Sequence, residues 1–420
     1  MKRLAVVPML LVSIACAGAR RAPATAPVSF DASPTGFERW VASLGSLPPE
    51  ARQREVDARA DASLTAPLVD RERAVVFWRG EAQRVQWIGD ANGWSREKAP
   101  QLERVTGTDL WWLAVALPYE ARLDYKFLVD GETWILDPRC LRLVRGGFGE
   151  NSEVRMPGYV PPPELGPQSP DLFLWQGYVA ELEFDSAVLG EKRPYSMYVP
   201  GGYKSPAGMR TLWFLDGKDY LGYADAWRTL DVMIARGDIP PVVAIFVPPI
   251  RRGEEYGVGG DAFVKFFTEE LVPALRERYE LNRAPELNVV IGPSLGALGA
   301  TRLALARPDL FGNVIGQSGA YNQGDDAVIR DVREGRKRDV AFHLVVGTYE
   351  TALGGDPVDG NLLEAQRRFA AALKERGYPV TAVERPEGHS WGLWRANLGS
   401  ALTRLLGPNP DKPYDSGSPR

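Results

Sequence analysis

An α/β domain with a mainly parallel sheet, preceded by an antiparallel β-sandwich, is the architecture this sequence predicts. Three observations carry it. Residues 171–407 alternate strand-like apolar runs with helix-like amphipathic ones, the texture of a parallel sheet covered on both faces. Residues 73–155 hold short β-branched and aromatic runs separated by turn residues, namely "AVVFWRG", "RVQWIGD", "DLWWLAVAL", "LDYKFLVDG" and "TWILDP", the texture of a sandwich. Between them, "MPGYVPPPELGPQSPD" has six prolines in sixteen residues and reads as a stiff linker.

The chain has 420 residues, more than one core usually supports, so two or more domains are expected. Composition is ordinary for a globular protein, with 45% hydrophobic and 25% charged residues and a net charge of −4. No dense Lys/Arg stripe argues for nucleic acid as a partner. Twelve tryptophans fit sugar- or aromatic-binding surfaces as well as large cores.

The elements follow in order. Lys2 and Arg3 precede an apolar stretch from Leu4 to Ala15, too short to span a bilayer, and Cys16 comes next. Residues 1–16 therefore read as an export signal that resembles a bacterial lipoprotein signal, with Cys16 as the lipidated N-terminus, although Ser13 stands where such signals usually carry Leu. Residues 17–35, rich in Ala, Pro, Ser and Thr, read as a tether. Residues 36–65 read as two short helices, the first with Phe37, Trp40, Val41 and Leu44 at helical spacing. The sandwich is expected over 66–156, the linker over 157–170, the α/β domain over 171–407 and a disordered tail over 408–420. Within the α/β domain the expected strands are Tyr195–Val199, Thr211–Leu215, Val242–Val247, Leu287–Ile291, Val314–Gln317, Phe342–Val346 and Val380–Glu384. Helices are expected at Phe263–Tyr279, Gly296–Ala306 and Leu362–Arg376. If Cys16 is lipidated, Cys140 has no internal partner, so the fold rests on its cores.

The chemistry concentrates in a few positions. "LNVVIGPSLGALGATRLALA" contains Gly292-x-Ser294-x-Gly296 between a buried strand and a helix, so Ser294 is expected on a tight strand-to-helix turn. Glycines at both flanks avoid collisions in such a turn, and the helix N-terminus favours negative charge on a reacting oxygen. A serine hydroxyl needs a base to take its proton. Two histidines are present. His343 falls inside a buried strand and reads as structural. His389, in "EGHSWGLWR", falls in the loop after the last strand, where the final member of an α/β-hydrolase triad belongs. The acid should come from "GTYETALGGDPVDGN", which offers Glu350, Asp356 and Asp359. Glu350 is favoured as nearest the strand end, with Asp356 reading as a turn residue and Asp359 as a helix cap. Backbone N–H groups of Leu295 and Lys218 are the expected oxyanion donors, with Gly217 letting the backbone approach and Asp216 bracing its loop. Gly388 is expected to leave room for the imidazole. Asp216, Gly217, Arg252, Tyr256, Trp391 and Trp394 are the expected pocket residues.

At this point the sequence resembles the enterochelin esterase-like (esterase D-type) branch of α/β-hydrolases. "TLWFLDG", "RRGEEYG", "FFTEELVPALRERYE", "VIGPSLGALGA", "PDLFGNVIGQSGAY", "VGTYE" and "EGHSWGLWR" carry the likeness over nearly all of 190–400. The resemblance implies a Ser294–Glu350–His389 triad with Lys218 as an oxyanion donor; Ala297 departs from the family's usual second Gly. The N-terminal region resembles early-set sandwiches of the glycogen-binding or isoamylase N-terminal type through "GDANGW", "LDYKFLVDGETWILDP" and "GENSEVRM". In sugar-binding members the matching positions touch glucan, which here are Trp94, Lys126, Trp134 and Asn151.

The combined expectation is an exported, membrane-tethered serine ester hydrolase needing no metal or cofactor. Its substrates would be siderophore or other aromatic or acyl esters. Two alternatives stay open: a feruloyl or acetyl carbohydrate esterase or acyltransferase of the same fold, and a glycan-binding surface protein with an inactive hydrolase domain.

Overall fold

A computed structural model describes residues 31–60, 64–167 and 176–408. The expected signal, with Cys16, most of the tether and almost all of the tail lie outside these residues.

Nine strands build the sandwich: β1 (Leu68–Asp70), β2 (Arg73–Arg79), β3 (Val85–Gly89), β4 (Glu103–Arg104), β5 (Leu110–Ala116), β6 (Arg122–Val129), β7 (Thr133–Ile135), β8 (Leu143–Gly146) and β9 (Gly149–Arg155). They form one sheet in the order β1-β2-β5-β4 and another in the order β3-β6-β9-β8, with β7 paired to β6, all antiparallel. Strand alternation sends Ala74, Val76 and Trp111 of the first sheet against Trp87, Tyr125, Phe127 and Val154 of the second. The opposite face of the first sheet would be left apolar. The two N-terminal helices, Pro34–Leu44 and Pro49–Arg59, cover it. Phe37 stacks on Phe77 with ring centroids 5.0 Å apart.

The α/β domain holds eight strands: β10 (Tyr178–Ser186), β11 (Glu191–Val199), β12 (Arg210–Leu215), β13 (Val242–Val247), β14 (Asn288–Pro293), β15 (Asn313–Gln317), β16 (Ala341–Gly347) and β17 (Val380–Arg385). Their order is β10-β11-β13-β12-β14-β15-β16-β17. β10 and β11 form a hairpin, β11 runs antiparallel to β13, and all other neighbours are parallel. Both faces are buried: Trp213 and Leu215 point to the helices at 261–279, 295–306 and 362–375, while Leu212 and Phe214 point to those at 226–236 and 391–406. β10 is an addition to the expected strands. It is an edge strand with mostly exposed or half-buried residues, so no apolar run announced it. The expected helix Phe263–Tyr279 is broken. A π-turn over Phe266–Leu271 separates Asp261–Lys265 from Val272–Tyr279. Pro273, which has no N–H and whose ring crowds the preceding turn, accounts for the widening.

Candidate active site

Ser294 stands between β14 and the helix Leu295–Ala306 with φ 56° and ψ −124°, a conformation few non-glycine residues adopt. The turn is held by close packing. A Cβ on Gly292 would lie 2.3 Å from the Gly296 carbonyl oxygen, and one on Gly296 would lie 2.5 Å from Asp216 Oδ2. Ser294 N–H donates to the Gln317 carbonyl at 2.7 Å.

Three loops at the carboxyl ends of β14, β16 and β17 bring the polar side chains together. His389 Nε2 lies 3.1 Å from Ser294 Oγ, and His389 Nδ1 lies 2.7 Å from Glu350 Oε2. Glu350 is fully buried, and its second oxygen accepts from Ser318 Oγ at 2.6 Å and from Gly347 N–H at 2.8 Å. Trp394 packs edge-to-face on the imidazole, with centroids 4.9 Å apart, and donates its indole N–H to Ser318 Oγ at 2.9 Å. The other carboxylates of the same loop are elsewhere. Asp356 accepts from the amides of Val358 and Asp359 in a turn, and Asn361 rather than Asp359 caps the following helix, because its side chain reaches the Glu364 amide.

Lys218 and Leu295 lie in the first turns of their helices, where backbone N–H groups have no intrahelical acceptor. Among the described residues neither amide donates to a protein oxygen. Asp216 is buried and accepts two hydrogen bonds from Arg252, both at 2.8 Å; Arg252 also donates to the Pro293 carbonyl. Burial pushes the Asp216 carboxyl up, against the pull of Arg252. This pair braces the elbow from below.

A cleft of about 400 Å³ opens over Ser294. Asp216, Arg252, Trp391 and Trp394 line it, as expected from sequence. Gly217 and Tyr256 do not. Gly217 is pressed against β13, where an added Cβ would meet the Phe246 and Val247 backbone at 2.4 Å, and Tyr256 is fully buried, its hydroxyl accepting from Asp216 N–H at 2.9 Å. Gly388 also has a different task, since its missing Cβ makes room for Asp90 of the sandwich rather than for the imidazole. His343 is buried in β16, and burial lowers its pKa to about 4.

The sandwich supplies part of the cleft wall: Arg145 and Phe148, which sequence reasoning did not single out, line it with Asn151, from the β8–β9 hairpin. Of the four positions compared with glucan binders, Asn151 faces this cleft and donates to Asp124 at 3.2 Å. Trp94 and Trp134 stack at 6.4 Å, with Arg96 over Trp134, and half-buried Lys126 sits on β6 opposite Ile88. Ser318 and the Arg122 cluster described below were also missed. A Ser directly after a buried strand was a weak signal for the first, and charged residues inside the "RLDYKF" strand for the second.

Residues 186–405 match the family model Esterase, described as "Putative esterase". The chain belongs to this esterase family. The iron(III) enterobactin esterase of Dickeya dadantii is 25% identical over 446 residues, covering 89% of this chain and 97% of that protein. The uncharacterized protein YjcH of Bacillus subtilis is 27% identical over 240 residues, 55% of this chain and 98% of its own. The ferric enterobactin esterase of Salmonella typhimurium superposes with a TM-score of 0.70 at 21% identity, covering 82% of this esterase and 98% of that chain. The shared fold thus spans the sandwich as well as the α/β domain.

Proposed function

We propose that this esterase is a serine carboxylic-ester hydrolase that cleaves siderophore-type esters of an aromatic acid. The Ser294–His389–Glu350 relay carries the reading, with its two short contacts and the strained serine backbone. Ser294 Oγ attacks the ester carbonyl while His389 Nε2 takes the hydroxyl proton. The oxyanion is held by the amides of Leu295 and Lys218. The tetrahedral adduct expels the alcohol, which receives the proton from His389, and an acyl-Ser294 remains. Water, deprotonated by His389, then releases the acid and restores the serine. Glu350 keeps Nδ1–H oriented and stabilises the imidazolium.

The substrate class rests on the aromatic cleft of Phe148, Trp391 and Trp394 and on likeness to proteins named for enterobactin. Export with a lipid on Cys16 belongs to the same proposal and is supported by the sequence of residues 1–16 alone.

The test is a panel of catecholate esters, feruloyl sugars, acetyl-xylan and p-nitrophenyl acetate, run with the parent and Ser294→Ala. Highest kcat/KM on the catecholate esters, lost in Ser294→Ala, is the expected result. Preference for feruloyl or acetyl sugars would move the substrate class, and turnover surviving in Ser294→Ala would refute the nucleophile.

A further inference from the structure

We infer that the β-sandwich positions the catalytic base and that Arg122 is the residue through which it does so. This rests on the reading of His389 as the base.

Arg122 opens β6 and its side chain is 1% exposed. Two sandwich carboxylates hold it: Nε donates to Glu153 Oε2 at 2.8 Å and Nη2 to Asp124 Oδ1 at 2.5 Å. The remaining nitrogen, Nη1, crosses to the α/β domain. It donates to Glu387 Oε2 at 3.3 Å and to Ser390 Oγ at 3.2 Å, residues on either side of His389. The Arg122 amide donates to the Pro386 carbonyl at 3.1 Å. Two glycines complete the seat. A Cβ on Gly392 would lie 1.9 Å from Arg122 Nη2, and one on Gly388 would lie 2.0 Å from Asp90 Cγ. Asp90 is itself fixed, accepting from Asp124 N–H at 2.7 Å and from the Trp94 indole at 3.0 Å.

The backbone that carries His389 therefore lies on the sandwich along both flanks. From its own domain, among the described residues, it receives the Tyr349 N–H at the Glu387 carbonyl and the Trp394 N–H at the Ser390 carbonyl, both at 3.2 Å, besides the bonds of the imidazole itself. Burying a guanidinium is costly unless its donors are matched, and its planar fork then imposes one geometry. A displacement of about 1 Å at a reacting group costs roughly 100-fold in rate. Arg122 touches neither substrate nor the reacting atoms; it is a positioning residue.

The full chain is compared with the double variant Glu387→Ala/Ser390→Ala, which cuts both Nη1 contacts and leaves Arg122 paired with Asp124 and Glu153. Glu387→Gln is the conservative partner, because a side-chain carbonyl still accepts from Nη1. Two readouts are taken: kcat and KM on p-nitrophenyl acetate, normalised by active-site titration, and the low-field proton resonance of the imidazole Nδ1–H. The chain has two histidines and His343 Nδ1 has no hydrogen-bond partner among the described residues, so that resonance reports His389. For the double variant we expect kcat roughly 10- to 100-fold lower, KM within about twofold and the resonance broadened or lost, with Glu387→Gln within about threefold of the parent. Ser390→Ala alone, should the double variant not fold, is expected to lower kcat roughly threefold and broaden the resonance. An unchanged kcat per titrated site with the resonance intact overturns the inference. Turnover surviving in Ser294→Ala would refute the reading of the site instead, and the resonance would still report whether Arg122 holds the imidazole.

Discussion

At the residue scale, a serine hydroxyl is a weak nucleophile until a base takes its proton, and the base is only useful in one orientation. In the proposed mechanism Glu350 supplies that orientation because its own freedom is gone: one oxygen takes Ser318 Oγ and Gly347 N–H, which leaves the other for His389. Ser294→Ala or His389→Ala should lower kcat by roughly 1,000-fold or more, the double variant should be hardly worse, and Glu350→Gln should lose less than either; steady-state kinetics on one ester decide it. The second histidine has an effect of another kind. Burial, with Arg404 and Arg385 nearby, keeps His343 neutral in the folded state down to about pH 4, whereas the unfolded chain takes up a proton below its ordinary value of 6.5. Acid therefore favours unfolding across that window, by up to about 3 kcal/mol from this group. Denaturant melts at pH 7 and pH 4.5 should show a smaller acid loss in His343→Leu than in the parent, with turnover at pH 7 retained.

At the element scale, the turn after β14 works because nothing but hydrogen fits at two positions. Gly292→Ala would drive a methyl group into the Gly296 carbonyl, and relief is possible only by moving the helix that follows Ser294. We expect a loss on the order of 2 kcal/mol in urea unfolding, together with reduced kcat. Gly253 is the contrast: it lies in the short helix Arg252–Tyr256 with open space around it, and Gly253→Ala should be neutral or stabilising by about 0.5 kcal/mol. Equal losses in the two variants would show that the elbow tolerates a side chain. Most of the elements were legible, since β12–β16 are largely buried apolar runs bounded by turn residues. β10 was not, because it holds no continuous apolar run: Ala180, Leu182 and Phe184 alternate with exposed acidic residues; the π-turn was not, because it follows from a local conflict around Pro273.

At the scale of the whole molecule, the β8–β9 hairpin extends over the cleft and places Phe148 at its tip, fully exposed. An apolar ring kept in water can gain on binding by covering a large aromatic substrate, and a small ester cannot reach it. Phe148→Ser should therefore lower kcat/KM on a bulky aromatic ester roughly 10-fold and leave p-nitrophenyl acetate within about twofold. Equal effects on both substrates would remove the hairpin from substrate recognition. Its flanking residues Gly147 and Gly149 have open space beside them, which suits a tip that adapts to its ligand.

The sequence by itself determined what local pattern controls: two domains of different texture, the strand–turn–helix around Ser294, and the order of serine, acid and histidine along the chain. These are contacts of near neighbours, or of loops whose place at the carboxyl edge of a parallel sheet follows from the alternation of strands and helices. Tertiary structure decided the rest. It placed Glu350 rather than Asp356 or Asp359 beside His389, turned Tyr256 and Gly217 into packing instead of pocket wall, and gave Gly388 to Asp90. Above all it laid the His389 loop on Arg122, 267 positions away along the chain. Which buried charge meets which loop depends on how two domains dock, and that docking leaves no periodicity in either sequence.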